Sequence, residues 1–161
     1  MSNLKSSINL CKDHIVITNH DAVVLYANNA VLKTTGYLSS EIIEVKAGKL
    51  WGGLMELEFY EKMWNKIALK KETFYGVMKN QKKNGEIYYA FVKIIPVIDS
   101  QDEVKYYIGI ERDVTNIIED FGGIPPSEYD DLKRLVGEDL HKAGEIDWKM
   151  IEEMLLEIKA S

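Results

Sequence analysis

Polar and apolar residues change their spacing several times along this chain, and each change marks an element. His14 to Thr18 is a β-branched run and Val23 to Ala27 is a second. Asn19-His20-Asp21 between them is turn chemistry, so the pair predicts a hairpin. From Asn28 to Thr35 the spacing turns helical. Ala30, Val31 and Leu32 suit a short helix that Gly36 is placed to stop. Ser39-Ser40-Glu41 reads as the N-cap start of another short helix carrying Ile42 and Ile43. Lys46 to Gly53 holds three glycines and reads as a loop, with Gly52-Gly53 a flexible pair. Phe59, Met63 and Ile67 recur at helical spacing, with Tyr60 and Trp64 beside that stripe, which predicts a helix over 59–69.

Three longer strands follow, over Thr73–Gln81, Ile87–Ile98 and Val104–Arg112. Asn84-Gly85 is a strong hairpin signal between the first two. Ser100-Gln101-Asp102 is a weaker turn before the third. Two strands, short helices, then three antiparallel strands indicate an α+β fold with a single sheet. After Thr115 the pattern is helical. Asn116 to Phe121 suits a short helix, and Gly122 to Pro126 is a break. Ser127 with Asp130 resembles a capping box opening a helix over about 127–143. Asp147 suits the N-cap of a last helix over about 147–160. Both helices carry apolar faces that packing must cover, on each other, on the rest of the chain or on another chain.

Composition narrows the classes. The chain has 161 residues, 46% of them apolar and 29% charged, which is ordinary for a folded globular protein. No apolar run approaches the ~18 residues of a membrane span, and Met1 to Leu10 does not look like a secretory signal. A single cysteine, Cys11, excludes an internal disulfide framework and makes a cytoplasmic setting the expectation. The net charge of −6 is uneven: residues 1–116 carry 15 basic and 14 acidic side chains, residues 117–161 carry 5 and 12. That acidic third argues against a nucleic-acid surface. The lysines at 79, 82 and 83 are a solvated hairpin tip rather than such a surface. No nucleophile elbow, phosphate-binding glycine loop or kinase signature is present, so the chain is not expected to be an enzyme. His14, His20 and His141 lack metal-ligand spacing. His141 reads as a cation near a helix C-terminus.

Several of these pieces, in order, resemble a PAS domain. They are Leu25-Tyr26-Ala27-Asn28-Asn29-Ala30, Thr35-Gly36-Tyr37, Ser40-Glu41-Ile42-Ile43 and Phe59-Tyr60-Glu61-Lys62-Met63-Trp64. Lys82-Lys83-Asn84-Gly85, Ile94-Ile95-Pro96-Val97 and Tyr107 to Thr115 continue the series. The resemblance covers roughly 12–116. It leaves residues 1–11 as a lead-in and 117–161 as an acidic helical extension. It is nearest to the sensory modules of bacterial signalling proteins such as histidine kinases, of two-component systems, and diguanylate cyclases.

The resemblance implies a five-stranded antiparallel sheet with short helices on one face and a small ligand or cofactor between them. Strand alternation turns one set of side chains toward the helices, and alignment to the family implies that the set includes Val16, Thr18, Met78, Asn80, Ala90, Val92, Ile94, Tyr107 and Glu111. Most are apolar and suit a plain core. Asn80 and Glu111 are the exceptions, because a buried amide or carboxylate without partners costs about 1–3 kcal/mol or more. A ligand, a lysine, bound water or each other would satisfy them. Asp113 and Thr115 correspond to the corner that relays a signal into the following helix, with Thr115 a candidate N-cap.

The ligand is left unidentified. Asn80 matches a flavin-contacting asparagine of light-sensing relatives, but their reactive cysteine falls near Ala47, which excludes a cysteinyl adduct. Phe74-Tyr75 stands where FAD-binding members tend to carry tryptophan, so flavin is open but disfavoured. Haem is disfavoured, since residues 59–69 hold no histidine for an axial ligand. A homodimer or a signalling partner is expected. The competing reading is a filled domain that serves only association.

Overall fold

The computed structural model describes residues 4–141 and 144–160. Five antiparallel strands form one sheet: β1 (His14–Asn19), β2 (Val24–Ala27), β3 (Phe74–Gln81), β4 (Ile87–Ile98) and β5 (Val104–Asp113). Their order is β2-β1-β5-β4-β3. Local chemistry sets the turns. Gly85 takes a left-handed φ of +92° in the β3–β4 turn. In the β4–β5 turn the Asp99 carboxylate accepts from the N–H groups of Gln101 and Glu103, at 2.9 and 3.0 Å.

Helices α2 (Asn29–Thr35), α3 (Ser39–Ile42) and α4 (Leu57–Trp64) cover one sheet face. Asn28 caps α2. Its fully buried amide oxygen accepts from Ile15 N–H at 3.0 Å and Val31 N–H at 3.4 Å, and its nitrogen donates to the carbonyls of Ile8 and Asp13. Gly36 ends α2 at φ +80°. The helix expected over 59–69 begins earlier and changes winding. α4 gives way at Asn65 to a π-helical turn over Asn65–Leu69, a feature often found beside functional sites.

The opposite face of the sheet is covered by α1 (Leu4–Leu10), α6 (Pro126–Leu135), α7 (Glu138–His141) and α8 (Trp148–Ala160). This is where the lead-in and the extension go. Leu4 and Ile8 join Ile15, Ile17, Phe91, Ile108, Ile110, Leu132, Val136, Ile151 and Met154 in one core. Each fully buried side chain of this size contributes ~1.5–3 kcal/mol. Lys105 of β5 pairs with Glu152 of α8 at 2.6 Å and stacks its ammonium 4.5 Å from the Trp148 ring centroid.

Three expectations for the extension resolve differently. The single helix over 127–143 is interrupted, because Gly137 takes φ +80° between α6 and α7. α6 starts on Pro126 with no side-chain cap, so Ser127 and Asp130 form no capping box; proline at the first helical position supplies the preset φ instead. Asp147 does cap α8, accepting from Met150 N–H at 2.9 Å. The His141 side chain, with Lys142 and Ala143, lies outside the described residues, and so do residues 1–3 and 161. No helix among the described residues is long and apolar enough to cross a membrane.

Candidate ligand cavity and relay corner

A cavity of about 460 Å³ lies between the sheet, α4 with its π-helical turn, and the segment 46–53, within the usual size of small-molecule sites. Seven of the nine residues expected there line it: Val16, Thr18, Met78, Asn80, Ile94, Tyr107 and Glu111. Ala90 and Val92 do not reach it. They face the same side but are fully buried under Phe74 and Met78.

The helical wall is Tyr60, Met63, Trp64 and Ile67, one stripe at spacings of three and four. Trp64 meets the Tyr107 ring edge-on at 5.6 Å across the cavity. The third wall was not anticipated. Lys46 to Lys49 and Trp51 to Gly53 fold against the opening, with Trp51 only 4% exposed. The backbone ties this segment down: Gln81 N–H donates to Trp51 C=O at 2.9 Å. Gly53 is a packing glycine rather than a flexible one. It sits at φ +82°, and a Cβ there would stand 2.7 Å from the Gly48 carbonyl oxygen. A tryptophan among glycines was the available signal.

Polar side chains gather at one end. Asn80 is 1% exposed, and its amide nitrogen has no hydrogen-bond partner among the described residues. Its cross-strand neighbour Tyr88 is 2% exposed, with a hydroxyl equally unsatisfied. The two groups approach each other without completing a well-formed bond. Glu111 pairs in register with Val92 on one side and His14 on the other. Desolvation pushes its carboxyl up to about 7. The His14 ring is buried, bonded to the Thr34 hydroxyl at 2.7 Å, and pushed below its ordinary value by desolvation. Of these four, Asn80 and Glu111 line the cavity, and Tyr88 and His14 stand beside them on the neighbouring strands. The cavity holds no thiol, since Cys11 packs on the far face of the sheet. That does not fit a cysteinyl-flavin adduct. Among the described residues no three His, Cys, Asp or Glu side chains gather as a metal ion would need.

The corner after β5 is well bonded. Asp113 Oδ1 accepts from Thr115 N–H at 2.9 Å and from the Thr115 hydroxyl at 2.5 Å. The same hydroxyl accepts from Tyr89 N–H of β4 at 2.9 Å, and Val114 N–H donates to Tyr89 C=O at 2.8 Å. Thr115 is thus the first residue of α5 (Thr115–Phe121) and not its N-cap, which is Val114. Its hydroxyl instead fastens the start of α5 to β4.

A five-stranded antiparallel sheet with a lined cavity beside short helices and a bonded exit into a helix is the architecture that the sequence resemblance implies. The PAS domain family model matches residues 12–116, and the chain belongs to that family. PAS domains are sensory units of signalling proteins and generally not catalytic. The chain is 29% identical over 101 residues to a nitrogen fixation regulatory protein of Klebsiella oxytoca, covering 63% of this chain and 20% of that protein. It is 26% identical over 126 residues to blue-light-activated histidine kinase 1 of Erythrobacter litoralis, covering 78% of this chain and 33% of the kinase. It therefore spans a third or less of these two relatives. An RNA-binding light-oxygen-voltage receptor shares the fold, with TM-score 0.66 at 21% identity, covering 72% of this chain and 33% of that one.

Proposed function

We propose that this PAS domain senses a small, largely apolar molecule held in the cavity between sheet and helices, and relays its presence through β4 and β5 into α5. The unsatisfied amide of Asn80 carries this reading. A buried donor left unbonded costs about 1–3 kcal/mol, and a guest with an acceptor at that end removes the cost. Relay would run through Thr115, which touches both β4 and α5. We take residues 12–116 as the sensing unit and residues 1–11 and 117–161 as its cover. A cytoplasmic signalling chain is the setting this reading favours. The filled, association-only alternative is opposed by a cavity of about 460 Å³.

Native mass spectrometry of the purified protein, with an absorption spectrum, tests the reading. A retained small mass that falls at least several-fold in Asn80→Leu, with an unchanged melting profile, is the expected result. A protein of bare polypeptide mass that also takes up no compound from a metabolite library would overturn it.

A further inference from the structure

A second cavity, of about 370 Å³, lies on the other side of the sheet. Ile95, Val97, Ile108 and Ile110 form its floor, and Leu140 and Ile146 of the extension close it. One lining residue does not suit such walls. Lys93 is 8% exposed and makes no ion pair with any described residue. Its ammonium lies over the Tyr75 ring, 5.9 Å from the centroid. Lys133 of α6 approaches the same ring, at 5.2 Å. Desolvation lowers the Lys93 pKa. Glu145 and Asp147 also line this cavity, but they stand on the exposed stretch before α8, and Asp147 is engaged in capping.

A buried ammonium without a counter-ion is costly, and evolution usually pairs or neutralises it. One buried lysine and isoleucines along the rest define the missing partner: a negative head on an apolar body. A carboxylate against a buried ammonium makes a short, charge-assisted hydrogen bond. We propose that this cavity, between the outer sheet face and the C-terminal extension, binds a small amphiphilic carboxylate, with its head on Lys93 and its chain over Ile95, Ile108 and Ile110.

The probe is octanoate, with 1-octanol as its uncharged counterpart, titrated calorimetrically into the full chain. Octanoate should bind the parent and Asn80→Leu alike, which places it outside the first cavity. Lys93→Met should weaken octanoate by roughly tenfold or more while leaving 1-octanol unchanged, and Lys93→Arg should retain octanoate. Nuclear Overhauser contacts between octanoate and the Lys93 ε-methylene should appear in the parent. No octanoate binding at millimolar concentration, equal binding by parent and Lys93→Met, or loss in Asn80→Leu would each overturn the assignment. So would a parent complex without the Lys93 contact.

Discussion

The Asp13 carboxylate and the backbone N–H of Gly137 meet at 2.9 Å, although 124 residues of chain separate them. The same carboxylate receives Arg112 of β5 through two bonds, at 2.8 Å to Nε and 3.1 Å to the terminal nitrogen. Arg112 also donates to Leu135 C=O at 3.4 Å. Three distant segments, before β1, in β5 and between α6 and α7, therefore share one side chain that is 9% exposed.

Asp13→Ala removes the acceptor for both partners at once. It should destabilise the fold by about 2–3 kcal/mol, since a nearly buried charge-assisted network loses its centre. Asp13→Asn should lie between variant and parent. Urea unfolding measures both, and a loss below about 0.5 kcal/mol in Asp13→Ala would refute the role given to Asp13.

Glu111 gives stability a pH dependence with a definite sign. Its folded pKa, about 7, lies above the ordinary value of 4.5, so the folded state holds the proton longer. Its penalty is absent below pH 4.5, grows as pH rises, and is complete above 7. The difference amounts to at most about 3 kcal/mol, reduced by whatever water the cavity admits. His14, depressed from 6.5, acts in the opposite sense at acidic pH. It is common to parent and Glu111→Gln, so comparing the two isolates Glu111. The variant should gain on the parent between pH 5 and pH 8. A constant gap in unfolding free energy across that range contradicts the assignment.

Thr115→Val keeps the shape and deletes the acceptor for Tyr89 N–H. It should cost about 1–2 kcal/mol and speed amide exchange at Tyr89, because an orphaned N–H must find water. Thr115→Ser should keep both properties near the parent. Exchange measured by nuclear magnetic resonance decides it, and unchanged protection of Tyr89 in the valine variant would dismiss the fastening role.

Gly53→Ala forces a side chain into a left-handed conformation and against a carbonyl oxygen. A cost of about 2 kcal/mol is expected, 1–2 of it from the backbone alone. The strand-side wall should stay fixed while the Lys46–Gly53 wall moves. Chemical-shift changes confined to that segment and Trp51 are the measure; a variant as stable as the parent would show that the close approach to Gly48 is not required.

The strands were legible because β-branched runs and turn residues each carry their own signal. Asn84-Gly85 and Gly36 declared their turns in the same way. The covering of the outer face was not legible. The apolar stripes of residues 129–140 and 148–158 state that something must cover them, not which surface does. The Asp13–Arg112 contact joins residues 99 apart by an interaction any acid–base pair could make. In the cavity, alternation and alignment to the family put nine side chains on one sheet face, but neither tells that Phe74 and Met78 shield Ala90 and Val92 while Asn80 lines the cavity. Nor does a glycine's letter distinguish a flexible loop position from a tight contact such as that of Gly53 with Gly48.

Along β4 and β5 neighbouring residues serve different chambers: Ile94 and Gly109 border the first, while Lys93, Ile95, Ile108 and Ile110 border the second. A partition one backbone thick cannot shift on one side only. Any tilt or slide of these two strands that accommodates an occupant beneath the short helices must reshape the compartment beneath the C-terminal helices, so two guests on opposite sides would sense each other without ever touching.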